Sequence, residues 1–148
     1  MASALVVYAT ITGNNEDVAD IVAEELKKQG VEVEETEITM ADAADFNDAD
    51  ICVVCPYTYD EGALPDEGLD FYDDLQEEDL SGKIFGVAGS GDTAYADDYC
   101  KAVDKFDAAF AKTGAKRGAG PIHINLAPDA DDITTLDAFA DQLVKAAN

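Results

Sequence analysis

Thr10-Ile11-Thr12-Gly13-Asn14-Asn15 joins an apolar run, Ala4-Leu5-Val6-Val7-Tyr8-Ala9, to a stretch in which Val18, Ile21, Val22 and Leu26 recur at helical spacing. The run predicts a strand covered on both faces. The stretch after it predicts an amphipathic helix opening near Asn14. Free backbone N–H groups at such a helix start, together with the helix dipole, favour an anion in the turn. A nucleoside triphosphate loop would place a lysine and then Ser or Thr after the glycine. Here Asn14, Asn15, Glu16 and Asp17 follow instead. The donors are therefore neutral, and they suit a terminal monophosphate: the hydroxyls of Thr10 and Thr12, the amides of Asn14 and Asn15, and the backbone. Thr and Asn are also ordinary helix caps, so this segment alone fits a plain capped turn equally well.

Outward from this turn, strand and helix patterns alternate. Val31 to Ile38 alternates apolar and polar residues and reads as an edge strand with one wet face. Ile51-Cys52-Val53-Val54-Cys55 reads as a central strand, and Leu69, Tyr72 and Leu75 mark a helix from Asp66 to Leu75. A buried strand from Lys83 to Ala88 comes next. Tyr99, Val103, Phe106 and Phe110 then mark a long helix stopped by Gly114. Ile122 to Leu126 makes the last strand, with Pro121 before it suggesting a sheet edge. Ile133, Leu136, Ala140, Leu143 and Val144 form the inward face of a final helix. This alternation predicts an α/β fold: a doubly wound three-layer sandwich with a five-stranded parallel sheet ordered 2-1-3-4-5.

The chain has 148 residues, enough for one domain spanning 1–148 that buries roughly 70% of its unfolded surface. It begins Met-Ala-Ser-Ala without a basic, apolar leader, and no apolar run reaches the roughly 18 residues of a membrane span. The expectation is a cytoplasmic chain with no membrane contact. Its 33 acidic and nine basic residues leave a net charge of −24, which argues against nucleic acid and anionic lipid as partners and favours cationic ones. Cys52 and Cys55 are three apart on a strand and so face opposite ways, which makes them packing residues and not a redox dithiol. The single histidine, His123, supports neither a zinc site nor a hydrolytic triad.

In a doubly wound sheet the ligand sits beyond the carboxyl ends of the strands, where strand order reverses. The loops after the first, third and fourth strands should share that place. The second of them runs Pro56-Tyr57-Thr58-Tyr59-Asp60-Glu61-Gly62-Ala63-Leu64-Pro65, and the third runs from Gly89-Ser90-Gly91-Asp92 through Tyr95 to Tyr99 and Cys100. Tyrosines flanking a phosphate cradle suggest walls for a flat aromatic ring.

With these three loops in order and at these spacings, the chain resembles the flavodoxins along its whole length, and by its length the short-chain members. The resemblance implies an electron carrier holding non-covalently bound flavin mononucleotide (FMN), not an enzyme. It implies that Thr10, Ile11, Thr12, Gly13, Asn14 and Asn15 hold the phosphate. Tyr59 and Tyr95 would then sandwich the ring system, with Thr58, Asp60 and Gly62 beside it in the second loop, and Asp92 and the backbone of Gly89, Ser90 and Gly91 would meet its pyrimidine edge. Tyr99 is the alternative to Tyr95 as the stacking residue. Asp60 stands where the family usually has a glycine whose carbonyl turns toward flavin N5. Asn15 stands where it usually has Thr.

The resemblance further implies a monomer that meets basic-surfaced redox proteins, such as a ferredoxin or flavodoxin reductase and electron acceptors. One carboxylate about 10 Å from the ring, at an effective dielectric of about 20, costs roughly 1 to 2 kcal/mol before screening. Asp60, Glu61, Asp66, Asp92, Asp97 and Asp98 together would lower a one-electron potential by on the order of 100 mV. Rival readings are a flavin enzyme of the same fold, such as a quinone reductase or a ribonucleotide reductase activator, and a receiver-type signalling domain. The second lacks its acidic cluster after the first strand and its lysine after the fifth.

Overall fold

A computed structural model of the chain describes residues 3–9, 14–56, 66–91, 101–125 and 128–147. Three apolar runs become adjacent parallel strands, β1 (Ser3–Tyr8), β3 (Ile51–Cys55) and β4 (Ile84–Gly91). Val6 lies opposite Val53, and Val53 opposite Gly86. The edge strand β2 (Glu32–Glu37) pairs with β1 on its other side, Val6 against Glu35. The observed order, β2-β1-β3-β4-β5, is the one the sequence predicts.

The fifth position is built differently from the expected single strand. It is filled by two short segments, β5 (Lys116–Arg117) beside Ile84 and Phe85, and β6 (Ile122–Asn125) beside Ala88 to Gly91. Gly118 still donates its N–H to the Phe85 carbonyl at 2.9 Å, after which the chain leaves the ladder. Pro121, with no N–H to give, precedes its return. Sequence periodicity misses β5 because Lys-Arg pairs only through its backbone.

Helix α1 (Asn14–Lys28) buries Val18, Val22 and Leu26. It ends where Gly30 takes a left-handed φ of 86°. The Gly30 N–H bonds the Lys27 carbonyl and the Val31 N–H reaches back to the Leu26 carbonyl, both at 3.1 Å. This is a Schellman ending, and it turns the chain directly into β2. Helices α1 and α4 (Ala130–Ala147) cover one sheet face; α2 (Asp66–Leu75) and α3 (Lys101–Lys112) cover the other. Two 3₁₀ turns, Ile38–Met40 and Ala43–Asp48, link β2 to β3 and were not legible as periodic elements. On α4 the buried stripe is Leu136, Phe139, Ala140 and Leu143. Ile133, expected inward, is instead 42% exposed, because the first turn of α4 runs past the buried stripe.

The α2/α3 face is held by phenylalanines. Phe85 stacks on Phe110 at 4.9 Å between centroids, Phe46 meets Phe110 at 5.4 Å, and Phe71 meets Phe46 edge-on at 5.8 Å. Phe46 brings the second 3₁₀ turn into this core. Cys52 lies in this core and Cys55 in the opposite one, as strand parity requires. Removing the Phe110 ring takes away contacts with a strand and with a 3₁₀ turn at once. Phe110→Ala is expected to cost about 3–5 kcal/mol, read as a lower urea midpoint with an unchanged slope.

Candidate functional site

Three neighbouring parallel strands end on one edge of the sheet. β1 stops at Tyr8, β3 at Cys55 and β4 at Gly91. The Ala9 N–H extends the β1–β3 ladder by bonding the Cys55 carbonyl at 3.0 Å. The crossover then begins α1 at Asn14, on that same edge, with Glu16 and Asp17 in its first turn. Asn14 and Asn15 thus open α1 as predicted, and Ser90 and Gly91 end β4 opposite Ile124 and Asn125. Thr10, Ile11, Thr12, Gly13, Thr58, Tyr59, Asp60, Gly62, Asp92, Tyr95 and Tyr99 lie outside the described residues. The elements on either side of them emerge together at this edge.

Gly89 is where backbone crowding is greatest. A Cβ built there would sit 2.3 Å from the Pro56 carbonyl oxygen and 2.9 Å from Val103 Cγ2. The chain leaving β3 therefore lies directly against β4 just before β4 ends, and only a residue without a side chain permits it. This close approach sets Pro56, just after β3, directly against β4 at Gly89.

Around Tyr8, at the end of β1, the structure adds a group of acids that sequence reasoning did not single out. Val33 and Glu35 share the α1-facing side of β2, so Glu35 interrupts an apolar face. Partial burial, then the hydrogen bond and negative charge of Asp20, push the Glu35 carboxyl up to about 7, with Lys27 opposing. Tyr8, half-buried at the end of β1, is also raised, first by burial and then by Glu16, Glu37, Glu35 and Asp20. The parity of Val31, Val33 and Glu35 was the available signal.

The two thiols of β3 are quiet. Burial pushes Cys52 up to about 12 and raises Cys55 as well, so neither offers a thiolate. His123 is exposed, with Nε2 2.9 Å from Asp104 Oδ1. Arg117 makes a bidentate pair with Asp107, at 3.0 and 2.6 Å, and lies 5.4 Å from the Phe85 ring centre.

The flavodoxin family model matches residues 6–138. The chain belongs to the flavodoxin family. It is 38% identical over 146 residues to "Probable flavodoxin 2" of Bacillus subtilis, covering 98% of this chain and 96% of that one. Among solved structures it matches a short-chain flavodoxin associated with a non-canonical PDU bacterial microcompartment. That match has a TM-score of 0.98 and 57% identity over the full length of both chains. It also matches the Streptococcus pneumoniae TIGR4 flavodoxin, with a TM-score of 0.95 and 49% identity over 98% of this chain and 99% of that one. As a flavodoxin the chain is an FMN-binding electron-transfer protein and not an enzyme. Among the described residues, the α1 start and the Cβ-free approach at Gly89 lie on one edge of the sheet, which leaves room there for the cofactor.

Two outcomes follow from this geometry. Gly89→Ala must part β4 from Pro56, and is expected to cost about 1–3 kcal/mol in stability and to weaken FMN binding by about tenfold or more, measured by fluorescence titration. Glu35 keeps its proton to about 7 in the folded chain, against 4.5 as its ordinary value. The stability this contributes is complete below about 4.5 and lost as pH rises through about 7. Glu35→Gln is therefore expected to be more stable than the parent at alkaline pH, by on the order of 1 kcal/mol once solvent screening is counted. The difference should vanish at acid pH in urea titrations.

Proposed function

We propose that this flavodoxin carries single electrons at low potential, accepting them from a reductase and passing them to redox proteins with basic surfaces. The observation that supports this reading is the convergence of the β1, β3 and β4 ends beside the α1 start, in a chain of net charge −24. In it, Thr10, Thr12, Asn14 and Asn15, with the backbone from Ile11 through Gly13, hold the FMN phosphate by neutral donors. Tyr59 and either Tyr95 or Tyr99 flank the ring. Thr58, Asp60 and Gly62 line its second-loop side, and Ser90, Gly91 and Asp92 its pyrimidine edge.

Bound flavin supplies the redox chemistry, and the protein tunes it. The tuning comes from carboxylates: extra negative charge on the ring is opposed by Asp60, Glu61, Asp66, Asp92, Asp97 and Asp98. The same surface charge steers cationic partners and repels like copies, so the working form is a monomer that makes transient, salt-sensitive encounters. A reducing cytoplasm suits its two buried thiols. Among the described residues, no helix is long and apolar enough to cross a membrane.

The protein purified from a flavin-replete host is expected to be yellow and to release one riboflavin 5′-phosphate per chain. A colourless protein that ignores added FMN would falsify the site. Potentiometry should place the second one-electron midpoint on the order of 100 mV below that of free flavin; a value equal to free flavin would remove the low-potential claim. Asp60→Gly puts there the residue that reaches positive φ at no steric cost, and is expected to widen the separation between the two midpoints. Electron transfer from a basic reductase should slow as salt rises.

A further inference from the structure

On the α2/α3 side of the sheet, β2 is not roofed by a helix. Among the described elements it packs extensively only against β1 and against α1, which lies on the other face. The exposed side carries Glu32 opposite Ser3 and Glu34 opposite Leu5. The second 3₁₀ turn stands beside this face and encloses a groove of about 450 Å³. That volume lies within the roughly 300–1,000 Å³ of clefts that hold ligands. Glu32, Glu34, Asp45 and Asp48 line the groove, and so does Met40, which is 80% exposed. No lysine or arginine is among its lining residues.

The occupant follows from how these groups are spaced. Among the described residues, no cluster of acids is compact enough to hold a metal ion, so the carboxylates address something longer. Glu32 and Glu34 sit two apart on a strand, about 7 Å from one another along it, which is the spacing of alternate side chains in any extended chain. Neither makes an ion pair or side-chain hydrogen bond among the described residues. Asp45 spends one oxygen on the Asp42 N–H at 3.0 Å and keeps the other. A second copy of this chain would bring its own excess of negative charge.

We propose that this groove docks an extended, basic segment of a partner protein, with alternate Lys or Arg side chains on Glu32, Glu34, Asp45 and Asp48 and an apolar residue against Met40. The groove begins at Ser3, Ala4 and Leu5, at the amino ends of the strands, whereas the loops assigned to the cofactor leave from the carboxyl ends. On the electron-carrier reading above, a protein held in the groove leaves the flavin edge free. The groove would therefore tether the carrier without blocking exchange.

The test is isothermal titration of the full-length, flavin-loaded chain with acetyl-Lys-Val-Lys-Val-Lys-amide at about 20 mM salt, where surface charge is least screened. Saturable one-to-one binding is expected. Glu32→Lys with Glu34→Lys should weaken it by about tenfold or more. Glu24→Lys with Asp131→Lys makes the same charge change on the helices of the other face, and should weaken it by less than about threefold. Met40→Gln alters no charge and should still weaken it about twofold to fivefold.

Equal losses from the two double variants would mean a diffuse field and overturn the proposal, as would heats that never saturate. A parent that elutes as a dimer and becomes monomeric on Glu32→Lys with Glu34→Lys would assign the groove to self-association instead. Because the heats do not depend on flavin colour, a failed cofactor reading and a failed groove show separately. Near-ultraviolet dichroism identical to the parent's establishes that each variant is folded.

Discussion

Backbone pairing of β1 with β3, and of β3 with β4, is the constraint on which the remaining structure depends. Three apolar runs have no stable place except side by side, with both faces covered. Once they are parallel, each connection must cross over, and each crossover returns to the same edge. Helices then divide between two faces: α1 and α4 over Val6, Val53 and Cys55, and α2 and α3 over Val7, Val54 and Phe85. The assembly of three loops at one edge is thus a consequence of strand pairing, and the loop residues need only supply chemistry there.

Packing decides how closely those loops approach one another. Gly89 lets the chain after β3 touch β4, and Gly30 folds α1 into β2 without a spacer. Both are backbone solutions, and neither uses a side chain. The acids around Tyr8 work in the opposite sense. Glu35 and Asp20 crowd negative charge beside Tyr8, at the carboxyl end of β1. In the proposed site, grip on the phosphate would come from oriented dipoles, a short-range interaction that survives an unfavourable long-range field.

Elements with a strong hydrophobic period were legible in the sequence: the runs at Ala4, Ile51 and Ile84, the alternation ending at Glu37, and the stripe of Val103, Phe106 and Phe110. Elements held by backbone or by one anchor were not. Lys116–Arg117 adds a strand with no apolar residue of its own, through main-chain bonds and the contact of Arg117 with the Phe85 ring. The 3₁₀ turn at Ala43–Asp48 is tied in by Phe46 and a capping box between Asp42 and Asp45. Ile133 kept the right helical phase but fell beyond the core, since phase does not tell where a helix outruns its sheet. The edge from which the expected site loops leave was legible, because strand ends follow hydrophobic runs. Side chains within loops follow no period, which is why Tyr95 and Tyr99 are interchangeable in the sequence.

The broken fifth strand has a further consequence. A long, flat, uncharged strand at the rim of a sheet recruits strands from other molecules and seeds fibres. At one rim, β5 offers two residues, Lys116 and Arg117, before 118–121 leaves the ladder at a glycine and returns after Pro121. At the other, β2 presents glutamates at four of its six positions. Neither rim thus offers a long, flat, uncharged strand, which works against edge-to-edge association of copies.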